Sequence, residues 1–572
     1  MPPMTFPLRS PREQREFWWF MAFAALVIGA GIGLRAPWPA DEPRFVLVAK
    51  QMWESGDWLF PHRGHELYPD KPPLYFWMIG ACYALVRNWN VAFLIPSLLA
   101  SLGTLWLTFD LGKRLWQPRA GLWAAGAVLC AFQFVYQAKR AQIDPTVVFF
   151  ITLGVYGIAR HTLLGPNWRW YWVGCFAAGL GVISKGVGFL ALLMLLPYAW
   201  MRWRGWNHLS VPVPRGAGRW WLGALAFLGA IALWFVPMLL SALHDGDPGH
   251  RAYLQELLFR QTATRYTNAW HHHEPFWYFA EVIALFWLPF TIFIPWLLKP
   301  WREAWRVRDA RTWLPLAWVA LVLLFFSASP GKRDMYILPA LPMLALAAAP
   351  FLPALAQRRG VRAALFGFAV LLGAGLFAAG LAAMLGEPKF EVNFEAARGL
   401  TGGDALWYVV TAMGALVLLA AAWLRLRRVV ALNLVTVAVL WLGYGLAIAP
   451  LLDQENSARG LMQQARALAG PQTPIGLVDW REQQLLQAQG PIEEFGFKAP
   501  PSLQWQRARA WLGAASGRLL LVQEASLPKC IDKGRIQRVG VANRRGWWLV
   551  APAALSGCGE ADFSVEGDPD AP

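Results

Sequence analysis

The sequence predicts an all-α protein that crosses a membrane many times and carries a small α/β domain at its C-terminal end. Hydrophobic residues make up 57% of the 572 residues and charged residues only 15%. Soluble domains average about 45–50% apolar and about 25% charged residues. The apolar excess therefore has to face lipid. Polarity rises only after residue 452, where the predicted second domain begins.

Thirteen apolar runs are long enough, or nearly long enough, to cross a bilayer as helices. A shorter run at 74–86 reaches only about 20 Å at about 1.5 Å per residue, so we interpret it as a partial or re-entrant element. The first run follows three arginines like a signal peptide, but it lacks a convincing cleavage site and is expected to be retained. The runs are 17–34, 91–112, 120–137, 145–160, 168–183, 186–201, 220–243, 276–298, 312–328, 336–353, 362–385, 405–425 and 429–451.

The basic residues predict the orientation of these runs. With a cytoplasmic N-terminus and thirteen crossings, every loop predicted to be cytoplasmic contains Lys or Arg, and only Glu303 and Asp309 oppose them. This is the positive-inside pattern, and counting 74–86 as a full span would reverse most of it. The opposite, outer side then receives the tail and four further segments, namely 35–73, about 138–145, 244–275 and 329–335.

The segment 454–572 has the pattern of a small α/β domain that follows the membrane domain 1–453. If this tail lies in an oxidising periplasm, Cys530 and Cys558 are expected to form a disulfide. The last ten or so residues are acidic, with Gly and Pro, and are predicted to be disordered. A helix is predicted at 455–469, and short apolar runs follow at 475–479, 518–523 and 544–550.

The net charge of +17 is compatible with nucleic acid, anionic lipid or an anionic substrate. Because the charges lie in short loops between apolar runs, we do not expect nucleic acid as a partner.

There is no internal repeat of the kind found in many transporters. Mid-helix positions are also nearly free of charge, with Asp110 close to an inner helix end. These observations favour an enzyme over a transporter.

The first outer loop contains two groups of charged residues. Asp41 and Glu42 follow the first run, and Asp70 and Lys71 precede the apolar run at 74–86. The segment between them has helix-like apolar spacing with Trp residues, which predicts an amphipathic helix in the membrane interface. Taken singly, Asp41 and Glu42 are compatible with capping or solvating helix ends, and Lys71 is compatible with reaching the lipid headgroups. Ionisable residues at membrane depth are costly and usually functional.

Five segments of the sequence form a recognisable set of motifs. They are DEPRFVLVAKQMWESGDWLFP with DKPPLYFW, KRAQIDPTVVFF (139–150), GLGVISKGVGFL (179–190), RYTNAWHHHEPFWYF (265–279) and SPGKRDMYILPALP (329–342). In this order they resemble the GT-C membrane glycosyltransferases. The bacterial branch that modifies lipid A with 4-amino-4-deoxy-L-arabinose, related to the dolichyl-phosphate-mannose protein mannosyltransferases, is the most similar. Two positions depart from the pattern, because Leu94 stands where the family often has Arg, and Gln261-Thr262 replaces a common acidic–His pair.

The resemblance implies a GT-C fold, a lipid-filled cavity and a sugar donor linked to a polyprenyl phosphate. Cleavage of such a donor leaves negative charge on the phosphate, which fixed cations stabilise. Asp41 and Asp144 are the predicted catalytic residues. Asp41 would take a proton from a hydroxyl acceptor, or orient a phosphate acceptor. Asp144 would stabilise charge on the sugar or bind an amino group, and capping of the helix before Pro145 is weighed equally. The predicted donor-phosphate ligands are Lys71, Lys185, Arg265 and Tyr336, and the predicted substrate-binding residues are Glu42, Arg260 and Lys332.

A metal is implied by the resemblance for some members of the family. Asp70, His271 and His273 are the candidate ligands, and zinc is the candidate ion. Their spacing is not diagnostic, and interfacial or surface His is the favoured interpretation.

The predicted function is transfer of a sugar, with aminoarabinose as the leading candidate, from undecaprenyl phosphate to lipid A or another envelope acceptor. The reaction is placed at the periplasmic face of the bacterial inner membrane. The alternatives are a protein O-glycosyltransferase of the same fold, and a transporter or flippase of lipid-linked sugars.

Overall fold

The computed structural model describes residues 11–209, 217–258, 274–386, 388–398 and 404–563. Within them, each of the thirteen predicted apolar runs coincides with a helix or with consecutive helical segments. The prediction of a mainly helical membrane protein is confirmed. The first helices and a small hairpin are α1 (Pro11–Gly29), α2 (Glu42–Ser55), β1 (His62–Arg63), β2 (Glu66–Leu67), α3 (Leu74–Val86), α4 (Trp89–Ala92), α5 (Ile95–Leu115), α6 (Pro118–Cys130), α7 (Phe132–Ala138), α8 (Ile143–Leu163), α9 (Trp168–Lys185), α10 (Leu195–Trp203), α11 (Ala217–His244) and α12 (Pro248–Gln255).

The second half of the helical body continues in the same way up to residue 456. Short 3-10 segments lie at Gly188–Met194, Phe290–Phe293, Asp334–Ile337 and Leu426–Arg428, and a π-helical segment lies at Tyr444–Ile448. The α-helices are α13 (Tyr278–Phe286), α14 (Ile294–Arg306), α15 (Ala310–Ala328), α16 (Ala340–Ala348), α17 (Leu352–Leu355), α18 (Arg359–Leu385), α19 (Lys389–Ala396), α20 (Asp404–Leu424), α21 (Val429–Gly443), α22 (Ala449–Leu451) and α23 (Asp453–Asn456).

Seven helical segments of the described residues are long and apolar enough to cross a membrane, or nine if two bent pairs each count as one crossing. The bent pairs are α6 with α7, at 71°, and α13 with 290–306, at 103°. Helix α3 is too short for a full span at 13 residues, as the sequence predicts. The figure of thirteen crossings stays a prediction. The seven segments are Trp89–Leu115, Ile143–Leu163, Gly218–His244, Ala310–Ala328, Arg359–Leu385, Asp404–Leu424 and Leu426–Leu451.

Glycine allows α8 and α9 to approach closely. A Cβ atom at Gly157 would collide with the carbonyl oxygen of Trp170 and with the backbone of Gly174. Small residues at such crossings let membrane helices pack through their backbones. This contact matters for the site because Asp144 lies in the first turn of α8 and Lys185 is the last residue of α9.

The C-terminal unit (459–563) is built on a five-stranded sheet in the order β4-β3-β5-β7-β6. Strands β4, β3 and β5 are parallel, and β7 pairs antiparallel with both β5 and β6. One helix packs on each face, α24 with Leu461 and α26 with Trp505. Cys530 and Cys558 form a disulfide. The elements are α24 (Arg459–Ala469), β3 (Ile475–Val478), α25 (Glu482–Leu486), β4 (Ile492–Glu494), α26 (Pro501–Ala514), β5 (Leu519–Gln523), β6 (Gln537–Ala542) and β7 (Arg545–Val550).

A candidate active site around Asp41 and Asp144

Helix α2 carries the first predicted catalytic residue at its start and lies between two packed layers. Asp41 directly precedes it, and Gly56 ends it with a left-handed φ of 74°. Phe45 and Met52 belong to the core of the helical body, whereas Leu47 belongs to the core of the C-terminal unit. The position of this helix in the membrane interface stays a prediction. The helix is covered on two sides, and only its last residues are exposed.

Glu42 forms a completely buried ion pair behind Asp41. Its oxygens accept from the Arg35 guanidinium at 2.5 and 2.7 Å, from the Trp38 amide at 2.8 Å and from the Ala141 amide at 2.9 Å. Burial alone would raise the pKa of Glu42, but the Arg35 guanidinium outweighs it and holds that pKa below its ordinary value. Four donors occupy the carboxylate. These contacts give Glu42 a structural role in the loop, and its part in substrate binding stays a prediction.

A lysine joins the segment at about 138–145 to the end of α1. Lys139 Nζ donates to the carbonyl oxygens of Val27, Ile28 and Ala30 at 2.9, 3.2 and 2.7 Å. The last carbonyls of a helix lack intrahelical partners and favour a cation. An ammonium has three donors, which these three acceptors match, although burial and the nearby Arg35 lower the pKa of Lys139 to about 7. Arg35 donates to the Lys139 carbonyl oxygen at 3.1 Å, which links this lysine to the buried ion pair.

Asp41 itself is partly exposed and faces a second cluster of charges. Its carboxylate lies 3.6 Å from Arg44 Nη1, one turn along α2. Arg44 Nε donates to Glu482 of the C-terminal unit at 2.7 Å, and Arg63 Nη1 donates to the same Glu482 oxygen at 3.3 Å. Burial alone would lower the pKa of Arg44, but Glu482 raises it above its ordinary value. The arginine therefore stays charged beside Asp41.

Asp144 and Lys185 form an ion pair with a Nζ–Oδ1 distance of 2.5 Å. Asp144 lies in the first turn of α8 and Lys185 is the last residue of α9, so the α8–α9 packing sets their separation. The N-cap of α8 is Gln142, which corrects the alternative assignment of Asp144 as the cap. Lys185 Nζ also lies 5.2 Å from the ring centroid of Tyr336. Three predicted site residues thus meet in one cluster.

The other predicted residues are distributed less closely. Lys332 is buried, and its Nζ donates to the Glu274 carbonyl oxygen at 2.7 Å, so this amine holds a loop. Lys71 and Asp70 are half-buried before α3. The two predicted arginines, Arg260 and Arg265, lie outside the described residues.

Only one of the three predicted metal ligands lies within the described residues. His271 and His273 lie outside the described residues, whereas Asp70 lies within them. In the described ranges, no three His, Cys, Asp or Glu side chains come together in a group that could hold a metal ion. The zinc site stays a prediction.

Several important residues were missed by the sequence analysis. Arg35 follows the first apolar run and stands seven residues before Glu42, so opposite charge at the mouth of a span was an available signal. Asp453 accepts from the Ala36 amide at 2.7 Å and from Trp38 Nε1 at 3.0 Å. Glu482 had no local signal, since its partners are more than 400 residues away.

The chain is similar to known glycosyltransferases in sequence. Residues 70–234 match the family described as dolichyl-phosphate-mannose-protein mannosyltransferase. An undecaprenyl phosphate-alpha-4-amino-4-deoxy-L-arabinose arabinosyl transferase 2 of Sodalis glossinidius is 30% identical over 334 residues, which cover 57% of this chain and 58% of that protein. The corresponding transferase of Pseudomonas aeruginosa is 30% identical over 324 residues, 54% of each chain. The chain thus spans under three fifths of the length of these curated relatives.

A solved structure extends the likeness to nearly the whole fold. The crystal structure of ArnT from Cupriavidus metallidurans bound to undecaprenyl phosphate superposes with a TM-score of 0.72 at 21% identity. The superposition covers 95% of this chain and 99% of that one. The apo state of the same protein gives a TM-score of 0.70. This chain therefore has the fold of the GT-C membrane glycosyltransferases, and its sequence resembles the aminoarabinose transferases that share it.

Proposed function

We propose that this protein is an integral membrane glycosyltransferase that moves aminoarabinose, a pentose, from undecaprenyl phosphate to lipid A. The observation that carries the proposal is the cluster of Asp144, Lys185 and Tyr336, which the sequence resemblance marks as site residues and the fold brings together. The 30% identical relatives are undecaprenyl phosphate aminoarabinose transferases by name, which supports the same donor.

The chemistry of the cluster suits a phosphate-linked amino sugar. Loss of the sugar leaves negative charge on the phosphate, and a fixed ammonium such as Lys185 stabilises that charge in the transition state. Tyr336, whose ring centroid lies 5.2 Å from Lys185 Nζ, carries a hydroxyl that can donate to the same phosphate. Asp144 already holds one ammonium, that of Lys185, at 2.5 Å. The same carboxylate can hold the amino group of the sugar or stabilise positive charge on its ring.

Asp41 acts on the acceptor in this proposal. A lipid A phosphate is already anionic, so Asp41 orients it together with Arg44 rather than removing a proton. With a hydroxyl acceptor, the same carboxylate serves as the general base. Lys71 and Arg265 complete the donor-phosphate site, and a zinc ion at Asp70, His271 and His273 belongs to the proposal as a candidate.

The proposal includes a location. The site and the C-terminal unit face the periplasm, and the body crosses the bacterial inner membrane thirteen times. The basic loops at 113–119, 299–311 and 425–428 support the orientation through the positive-inside pattern.

Purified protein in detergent tests the reaction directly, with the aminoarabinose-linked undecaprenyl phosphate donor and lipid A as substrates. Lys185→Met should lower kcat by about 10²–10³-fold, the usual loss for one electrostatic donor in an active site. Lys533→Met is the matched control, because Lys533 pairs with Glu524 on the surface of the C-terminal unit, and it should keep full activity. Absence of transfer by the wild-type protein would refute the donor and acceptor named here.

Mass spectrometry of lipid A from cells with and without the protein tests the acceptor. Loss of the aminoarabinose adduct on deletion, with return of the adduct on expression of the wild type but not of Asp144→Asn, is the expected result. An unchanged lipid A profile would remove lipid A as the acceptor.

Transfer of a sugar to protein hydroxyls is a second candidate function. The matching family description, dolichyl-phosphate-mannose-protein mannosyltransferase, favours it. Glycopeptide analysis of the same cells decides between the two. Sugar-modified Ser or Thr that disappears with the protein, beside unchanged lipid A, would establish the second function instead.

A further inference from the structure

The C-terminal unit presents the carboxyl ends of its parallel strands to the first outer loop. In open α/β sheets, this edge is where ligands ordinarily bind. Here the residues at the ends of β3 and β4 contact the hairpin β1–β2 and helix α2. The hairpin and α2 of the same chain thus occupy the sheet edge at which other open α/β domains bind ligands.

The hairpin is held by several hydrogen bonds at this edge. Glu494, the last residue of β4, accepts from the His65 amide at 2.7 Å. The Lys498 amide donates to Glu66 at 3.0 Å. The Arg63 guanidinium lies 3.6 Å from the ring centroid of Phe497. These contacts fix the position of Arg63 against the C-terminal unit.

Glu482, at the start of α25 beyond β3, connects this hairpin to α2. One of its oxygens accepts from both Arg44 and Arg63, and the residue is only 3% exposed. The Arg44 fork reaches in two directions, with Nε on Glu482 and Nη1 near Asp41 at 3.6 Å. A buried carboxylate from the C-terminal unit therefore sets the position of the cation that faces Asp41.

We propose that Glu482 is a positioning residue for sugar transfer, and that through Arg44 the C-terminal unit fixes the carboxylate of Asp41 for its acceptor. This inference rests on the proposed function. In the native arrangement, Arg44 is shared between two carboxylates, and Asp41 keeps oxygen lone pairs for an acceptor. Without the Glu482 charge, the nearest anionic partner of Arg44 is Asp41, and Coulomb attraction draws the guanidinium onto it. The bidentate pair then occupies the oxygens that the reaction needs.

Steady-state kinetics of Glu482→Gln with the lipid-linked donor test the proposal. We expect kcat to fall by about tenfold, a transition-state loss of about 1.4 kcal/mol. The KM for the donor should stay within about twofold, because Lys185 and Tyr336 hold the donor and neither contacts Glu482. Glu524→Gln, on the exposed side of the same unit, is the matched control and should leave both constants unchanged.

Arg44→Gln separates positioning from general damage to the fold. If Glu482 acts through Arg44, the double variant Arg44→Gln/Glu482→Gln should have the same kcat as Arg44→Gln alone. Independent, multiplying losses would overturn the proposal, and so would a wild-type kcat in Glu482→Gln.

Arg44→Lys keeps the inference testable if Glu482→Gln does not fold. Lysine retains the charge but lacks the fork that reaches both carboxylates, so kcat should fall with the donor KM unchanged. Full activity of Arg44→Lys would overturn the proposal. A wild-type protein without transfer activity would instead refute the proposed function, which keeps the two failures distinct.

Discussion

The ion pair of Glu42 with Arg35 and the ion pair of Arg44 with Glu482 both adjoin Asp41, yet they differ in burial and in sequence separation. The Glu42–Arg35 side chains are 0% and 4% exposed and stand seven residues apart. The Arg44 side chain is 22% exposed, and its partner is 438 residues away. The first pair is bidentate and closed to solvent, whereas the second belongs to a group of four side chains, with Asp41 and Arg63, at a seam between two packed layers.

This difference indicates different roles: the Glu42 pair fixes the backbone of the loop, and the Arg44 pair positions a side chain. A buried, fully bonded pair makes the loop geometry rigid, because breaking one partner leaves an uncompensated charge. The Arg44 pair is buried on its Glu482 side, but solvent reaches the Arg44 side, where water and an anion can replace part of its contacts. We expect the Glu42 pair to determine whether the loop folds and the Arg44 pair to determine how well the site works.

Glu42→Ala should have the largest effect of the changes considered. It leaves the Arg35 charge buried without its carboxylate, and such a loss costs about 3–5 kcal/mol. Arg44→Ala, which leaves Glu482 paired with Arg63 at 3.3 Å, should cost less. Denaturant unfolding in detergent, followed by tryptophan fluorescence, measures both. Equal losses would break the distinction between the two pairs.

Removal of the disulfide should have the next largest effect. It should destabilise only the C-terminal unit, which supplies the Glu482 partner of Arg44. Cys530 and Cys558 are 28 residues apart. Their disulfide lowers the entropy of the unfolded chain, which raises the free energy of unfolding by about 3–4 kcal/mol. The double variant Cys530→Ser/Cys558→Ser should unfold its C-terminal unit before the helical body. Hydrogen exchange checks this, with faster exchange expected at 475–550 and unchanged exchange at α1. A single, common transition would show that the two sides of α2 are not separable.

Acidification should give the smallest effect, because a protonated Glu42 still accepts hydrogen bonds. The folded-state pKa of Glu42 lies below its ordinary value of 4.5. The stabilisation is therefore fully present above pH 4.5 and is lost as the pH falls through the lowered value. As the pH falls below 4.5, the Tm of the wild type should decrease more steeply than the Tm of Glu42→Gln, because the glutamine has no carboxylate to protonate. Parallel pH dependences would contradict this assignment.

Much of the helical body could be predicted from hydropathy alone. The predicted runs coincide with helices because apolar runs of this length leave a backbone in lipid no alternative but internal hydrogen bonding. The apolar runs at 475–479, 518–523 and 544–550 coincide with β3, β5 and β7 for a related reason, since buried strands read as short hydrophobic stretches. Strands β4 and β6 carry polar and charged residues at the sheet edges and gave no such signal.

The sequence by itself determined that this chain is a membrane protein and where its helices run, and its family resemblance predicted Asp41, Asp144 and Lys185 as site residues. Hydropathy encodes the helices, since an apolar run depends only on neighbours in the chain, and the motifs behind the resemblance are equally local. Only the tertiary structure decided that Asp144 meets Lys185, that Glu42 is closed off by Arg35, and that Glu482 reaches Arg44 from the far end of the chain. Pairing of charges across long sequence separations depends on how whole layers pack, and no local pattern records it.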